Sequence, residues 1–391
     1  MEAPAHPRDR DDELAAYLAL TQVPGIGAAR LRMLLAAFGS AGGAIVAPAG
    51  ALAALPGFGP AAAAAVRGAR RRTGAEILET LQRIGATAIL PGDPAYPPLL
   101  AEIGEPPAVL YAWGDVTLLA RPAAALVGSR NHTSYGAEAA RLLASGVARA
   151  GAVVVSGMAR GLDAVAHQAA LAVGGATVGV LGNGFGVIYP AANRVLYEQV
   201  VGQGCLVTEL PPGERPRVST FPRRNRIISG LAGVTVVVEA APGSGALITA
   251  DCALDQGRSV LAVPGPITSP TSVGCNKLIQ QGAKPALAPA DVLEELGLSI
   301  PDGEMPGRSA DRPPVWPADL SNIERSLCES LDAAPAHVDT LVSATGLDSG
   351  AVLATLTELE LRGLVAQRPG MIFELRVDDC GLRIGGGTNL H

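Results

Sequence analysis

Six short apolar runs, each leading through small or charged residues into a helical pattern, constrain this chain more than any other feature. They are AAALVG (123–128), AVVVSG (152–157), TVGVLG (177–182), CLVTEL (205–210), GVTVVVEA (233–240) and SVLAVPG (259–265). Runs that are apolar at successive positions are buried on both faces, and amphipathic stretches such as YGAEAARLLASGVARAG (135–151) supply helices to cover them. The pattern predicts an α/β fold, a doubly wound and mostly parallel sheet of Rossmann type. Ligands of such sheets lie beyond the carboxyl ends of the strands. The residues that matter for binding should therefore come directly after the runs.

The segments at those positions are chemically uniform. Gly128, Ser129 and Arg130 come after the first run, and Ser156, Gly157, Arg160 and Gly161 after the second. The fifth leads into Ser244 and Gly245 of APGSGALITAD. After the fourth comes STFPRRNRIISGL (219–231), with Phe221, Arg223, Arg224, Asn225 and Arg226. Five arginines fall between Arg215 and Arg226 without an acid among them. Small residues, helix N-termini and guanidinium groups at one sheet edge make an anion site, and phosphate is the expected anion. An aromatic beside the arginines suits a polynucleotide, whose bases stack while its phosphates take the charge. GNGFG (182–186) lacks the third glycine of a dinucleotide fingerprint, and no GxxxxGK[ST] is present. Asp163 and His167, four apart, read either as an acid–base pair or as a local helix contact.

Charge is unevenly distributed. The chain carries a net charge of -6, but residues 121–300 hold 14 basic and 11 acidic side chains, net +3. Residues 1–120 hold 9 and 11, and residues 301–391 hold 7 and 14. A polyanion should meet the middle segment. The five cysteines are scattered without CxxC, which implies reduced thiols, a cytoplasmic protein and no zinc site. No apolar stretch is long enough for a membrane span, and MEAPAHPRDRDDEL has no signal-peptide core.

The flanks read as separate pieces. In residues 1–84, VPGIGAARL (23–31) is echoed by LPGFGPAAAAAV (55–66). Each is a glycine turn into a helix, similar to helix-hairpin-helix motifs that grip nucleic-acid backbones; a purely structural helical domain would use the same turns. A proline-rich connector (91–115) precedes the first apolar run, within a sheet domain of residues 85–300. A linker (301–318) precedes three helical patterns and a hairpin over 319–377, a winged-helix arrangement, and a tail (378–391) expected to be disordered. Asp348, Glu358 and Glu360 stand against Arg362 on the third helix, which suits a protein partner better than a phosphate backbone.

GSRNHTSYG, SGMARGLDAVAH, FPRRNRIISGL, GSGALITA, GRSVLAVPG and GCNKLIQQGA, in this order over about residues 85–290, resemble the DprA/Smf family of DNA-processing proteins. The resemblance implies an extended Rossmann fold that binds single-stranded DNA and homodimerises. It implies loading of the RecA recombinase onto incoming DNA in natural transformation, displacing or bypassing single-strand-binding protein, with no chemical step, cofactor or metal. Arg130 would hold a phosphate and Phe221 would stack on a base. Arg223, Arg224 and Arg226 would line the strand's path, with Asn225 a polar contact or an anchor. Gly157, Arg160, Gly161, Ser244 and Gly245 would wall the site. The chain departs from the family's pattern at Gly186, often an acid, and at Ala246, usually a serine.

Two alternatives share the fold. A LOG-type phosphoribohydrolase needs PGGxGTxxE, whose glutamate position is Ala250 here, with Asp251 one residue on. A nucleotide-sensing module would enclose one mononucleotide instead of presenting an open arginine track.

Overall fold

The computed structural model describes residues 7–298, 320–333, 336–368 and 370–375. They fall into two compact units, divided near residue 304. The linker 301–318 and the tail 378–391 lie outside the described residues.

The first unit is built on a nine-stranded sheet. Its strands are β1 (Ala86–Ile89), β2 (Leu110–Gly114), β3 (Ala123–Val127), β4 (Val153–Ser156), β5 (Thr177–Val180), β6 (Cys205–Thr208), β7 (Val234–Val237), β8 (Ser259–Ala262) and β9 (Lys284–Pro285). The order is β1-β2-β6-β5-β4-β3-β7-β8-β9, parallel from β6 to β9 and antiparallel at β1 and β2. The six apolar runs are β3 to β8. From β3 the chain winds outward through β4, β5 and β6, then returns to the other side of β3 with β7. The strand order reverses between β3 and β7, the place where open α/β sheets open a crevice.

Alternate strand residues feed two cores. Ala123, Ala125, Val127, Val153 and Val155 face one layer; Ala124, Leu126, Val154, Val234 and Val236 face the other. Before the sheet come α1 (Pro7–Thr21), α2 (Ala28–Phe38), α3 (Ala41–Val46), α4 (Ala49–Ala53), α5 (Pro60–Arg67) and α6 (Arg71–Ile84). The helices among the strands are α7 (Pro98–Ala101), α8 (Ser134–Arg149), α9 (Leu162–Ala172), α10 (Arg194–Gln203), α11 (Thr220–Gly230), α12 (Gly245–Asp255), α13 (Val273–Gln280) and α14 (Pro289–Glu295). Ile227 of α11, Ala250 of α12 and Leu278 of α13 pack on the first face, and Leu143 of α8, Leu162 of α9 and Leu293 of α14 on the second. Each Leu-sized side chain buried this way contributes about 1.5–3 kcal/mol.

Two sequence expectations change. The stretch 91–115 is not only a connector: it contains α7 and β2, whose Tyr111 is fully buried. The N-terminal helices and the sheet form one compact unit, not two. Leu18 of α1 and Ile77 and Leu81 of α6 share a core with Tyr111, Met158, Leu181 and Leu206, and Tyr17 donates to the Ala108 carbonyl (2.7 Å). The two glycine turns are equivalent. Gly25 and Gly57 have φ of 81° and 76°, and Ile26 and Phe58 behind them are buried. Arg30 joins the turns, donating to the carbonyls of Gly25 (2.9 Å) and Gly57 (3.0 Å).

The second unit holds α15 (Asn322–Ala333), α16 (Val338–Thr345) and α17 (Ser349–Leu361) with a three-stranded sheet of β10 (Ala336–His337), β11 (Val365–Arg368) and β12 (Ile372–Leu375). This is the winged helix expected from the sequence. Asp348 caps α17, and Arg362 bonds to Glu324 of α15 (3.0 Å).

Candidate nucleic-acid interface

The loops beyond β3 and β7 enclose a cavity of about 480 Å³, open to solvent. Gly128, Ser129 and Arg130 line one side, Ser244 and Gly245 another, and Phe221, Arg224 and Asn225 of α11 a third. A second cavity of about 280 Å³ adjoins it, lined by Gly157, Arg160, Asn183, Tyr189 and Tyr197. Arg130, Phe221 and Arg224 line both cavities and so form the wall between them.

That wall has an exposed and a buried half. The Arg130 guanidinium is exposed and lies 5.6 Å from the Phe221 ring centroid. Tyr189 stands 5.6 Å from the same ring, centroid to centroid. Arg224 is 6% exposed and donates to the carbonyls of Gly157 and of Val180 (2.7 Å). Burial disfavours charge on both Arg224 and Asp163, lowering the pKa of the arginine and raising that of the carboxyl. Their mutual attraction works in the opposite sense on each, and burial prevails.

The loops are held by packing and by spent hydrogen bonds. The Ser129 hydroxyl donates to the Asn131 carbonyl (2.9 Å) and Ser244 caps α12, accepting from Ala246 N–H (3.3 Å). A Cβ on Gly157 would collide with the Arg224 guanidinium and lie 2.6 Å from the Asp163 carboxylate. Gly161, at φ 82°, brings its Cα against the Ser129–Arg130 backbone, where a Cβ would come 2.7 Å from the Arg130 carbonyl oxygen. Leu162 fills the space beside Gly128, so helix packing accounts for that glycine.

Of the expected site residues, Arg130, Phe221, Arg160, Gly157, Ser244 and Gly245 therefore meet at the cleft. Asn225 is the anchor, donating to the Gly245 carbonyl (3.1 Å). Arg224 reaches the cleft walls as a buried brace. Three residues stand away from the two cavities. Ser156 is fully buried and donates to the Leu126 carbonyl (2.6 Å). Arg226 bonds to Glu209, and the exposed Arg223 guanidinium leans on the same carboxylate at 3.6 Å; neither lines either of these two cavities. The reason is helical period: residues three apart share a face, so Arg223 and Arg226 turn together, away from Phe221, Arg224 and Asn225. That signal was present in the sequence.

Tyr189 and Asn183 belong to the site and were not singled out. The only advance sign was an aromatic after the third run. Asp163 and His167 do not form a relay: His167 is fully buried and bonds through Nδ1 to the Thr177 hydroxyl (2.7 Å). Burial pushes its pKa down to about 3, so the ring is neutral near pH 7. Ala250 is in the core, and neither it nor the exposed Asp251 lines the cavities. Among the described residues no cluster of side chains suits a metal ion, and no helix is long and apolar enough to cross a membrane.

Comparison with known proteins agrees with this architecture. Residues 87–297 match the family model for DNA recombination-mediator protein A, and residues 311–371 match that for the DprA winged helix domain. Protein Smf of Synechocystis is 35% identical over 397 residues, covering 94% of this chain and 100% of the relative. The DNA processing protein DprA of Bacillus subtilis is 43% identical over 221 residues, covering 56% of this chain and 74% of the relative. The X-ray structure of DNA processing protein A from Streptococcus pneumoniae superposes with a TM-score of 0.64 at 33% identity, covering 73% of this chain and 97% of that one. With the sheet, the winged helix and these matches in agreement, the chain belongs to the DNA recombination-mediator protein A family, the DNA-processing proteins known as DprA or Smf.

Proposed function

We propose that this protein binds single-stranded DNA at the cleft beyond β3 and β7. It acts there as a recombination mediator, loading RecA onto incoming strands in natural transformation, with single-strand-binding protein displaced or bypassed. It works in the cytoplasm as a homodimer and performs no chemical step on the DNA. One observation carries the reading: an exposed guanidinium and an aromatic ring form a shared wall between two adjoining cavities. A flexible strand can place a phosphate on Arg130 and an unstacked base against Phe221 or Tyr189. A duplex keeps its bases stacked and cannot. Family membership supports the mediator role. The acidic α17, with Arg362 engaged by Glu324, supports a protein partner for the winged helix.

The test is an anisotropy titration of labelled single-stranded and duplex oligonucleotides over a range of salt. The expected result is preference for single strands, little dependence on base sequence, and a log affinity that falls linearly with log salt as phosphate contacts release counterions. Preference for duplex, or hydrolysis of a free nucleotide without strand binding, would refute it.

A further inference from the structure

Arg67, Arg70, Arg71 and Arg72 fall within six residues that contain no acid, and all four are exposed. Even fully extended, six residues reach only about 20 Å, so the charge is concentrated at the corner between α5 and α6. Local structure accounts for only part of it: Arg67 lies in the last turn of α5, where a cation suits the helix dipole, but the other three open α6. The first turn of α6 has no acid, and Arg70 at its N-cap makes no side-chain cap. Cations there oppose the helix dipole. Arg72 pairs with Glu76 at the surface (2.9 Å), a solvent-screened contact. Arg71 lies over the start of α3, its Nη2 2.9 Å from where a Cβ on Gly42 would stand. Arg67 and Arg70 have no ion pair among the described residues.

A shallow groove of about 590 Å³ runs between α4 and α5 to this corner. Gly50, Ala53, Ala63 and Ala64 line it, together with Arg67 from the last turn of α5. No carboxylate lines the groove itself, the Glu13 carboxylate standing beside Arg71 at the start of α3, and small side chains let a polyanion come close. The corner also has a fixed relation to the cleft. Ile77 and Leu81 of α6 pack in one apolar cluster with Met158 and Leu181, which line the second cavity. It precedes the segment matched by the family model, which begins at residue 87.

We propose that this corner is a second phosphate-binding site, which takes the trailing backbone of the strand whose leading nucleotides occupy the cleft. The proposal rests on the reading of the cleft as a single-strand site. Its ligand class is the sugar–phosphate backbone, without base recognition, since no aromatic side chain lines the groove. The strand then crosses the N-terminal helical layer instead of leaving directly into solvent.

The test uses the full chain with two labelled probes, dT6, which fills only the cleft, and dT30. The double variant Arg67→Glu/Arg70→Glu should bind dT6 like the parent. It should bind dT30 at least about fivefold more weakly, with a salt slope shallower by about one for the lost phosphate contacts. Arg67→Lys/Arg70→Lys should restore dT30 binding, because only charge is required. Unchanged dT30 affinity and slope in the glutamate variant would overturn the proposal. So would equal loss of dT6 and dT30 affinity, which would place these residues at the cleft itself. The cleft reading fails separately, if Arg130→Glu keeps the parent's affinity for dT6.

Discussion

The Arg130 guanidinium rests 5.6 Å from the centre of the Phe221 ring, and the two side chains divide one cavity from the next. An exposed cation–π contact of this kind contributes about 0.5–1 kcal/mol. It holds the arginine over the ring before any ligand arrives, so a phosphate ligand meets a charge already in place.

Phe221→Ala should weaken oligo-dT binding by about 1–3 kcal/mol, the usual worth of one base stacked on an aromatic. That is roughly a 5- to 150-fold rise in Kd by anisotropy at fixed salt. Phe221→Tyr should stay close to the parent. An alanine variant that binds like the parent would remove the ring from the site.

Arg130 and Arg224 should separate binding from stability. Arg130→Glu should abolish strand binding and lower unfolding stability by no more than about 1 kcal/mol, the worth of its exposed contact with Phe221. Arg224→Met should lower unfolding stability by about 3–5 kcal/mol, as expected when one partner of a buried charged network is removed. It strips the Gly157 and Val180 carbonyls of their donor and leaves Asp163 without its cation. A midpoint unmoved in Arg224→Met would show that the brace carries no stability.

His167 makes stability depend on pH. Its folded pKa, about 3, lies below the ordinary value of 6.5. The unfolded chain therefore binds the proton first. The contribution is fully present above pH 6.5 and is lost as pH falls toward 3, at no more than about 1.4 kcal/mol per pH unit. Asp163, with its pKa raised, acts in the opposite sense: its contribution is present at low pH and is lost as pH rises through its folded value. In His167→Gln the decline in urea midpoint between about pH 6.5 and 4 should be shallower than in the parent.

Gly161→Ala should disturb the cleft more than Ser129→Ala. The added methyl meets the Ser129–Arg130 backbone at a positive φ, with a cost of about 1–3 kcal/mol. The Ser129 hydroxyl bonds only within its own turn. Comparison of the two variants by oligo-dT affinity and urea midpoint checks this.

Much was legible from residue order because it depends on local pattern. Runs such as VVVS and VTVV are short, β-branched and bounded by turn residues, which marks them as interior strands, so the parallel sheet and the loops that carry its ligand residues follow from the sequence. The repeated PGxG turns and the three helices with a hairpin near the C-terminus are local in the same way. β1 and β2 were missed because they are antiparallel and set among prolines, and the pairing of β2 with β6 is a contact between distant segments.

Helical spacing in FPRRNR already sets Arg224 apart from Arg223 and Arg226. Tertiary structure decided which partner each arginine finds. In the fold one is braced against two carbonyls in the core and the other two are drawn to Glu209. A guanidinium goes where the nearest carbonyls and carboxylates stand, and those come from β5, the loop after β4 and the segment after β6. Distant segments meet only when the sheet closes, so the order of residues determined where a site would form, while packing determined which charges remain free to serve it.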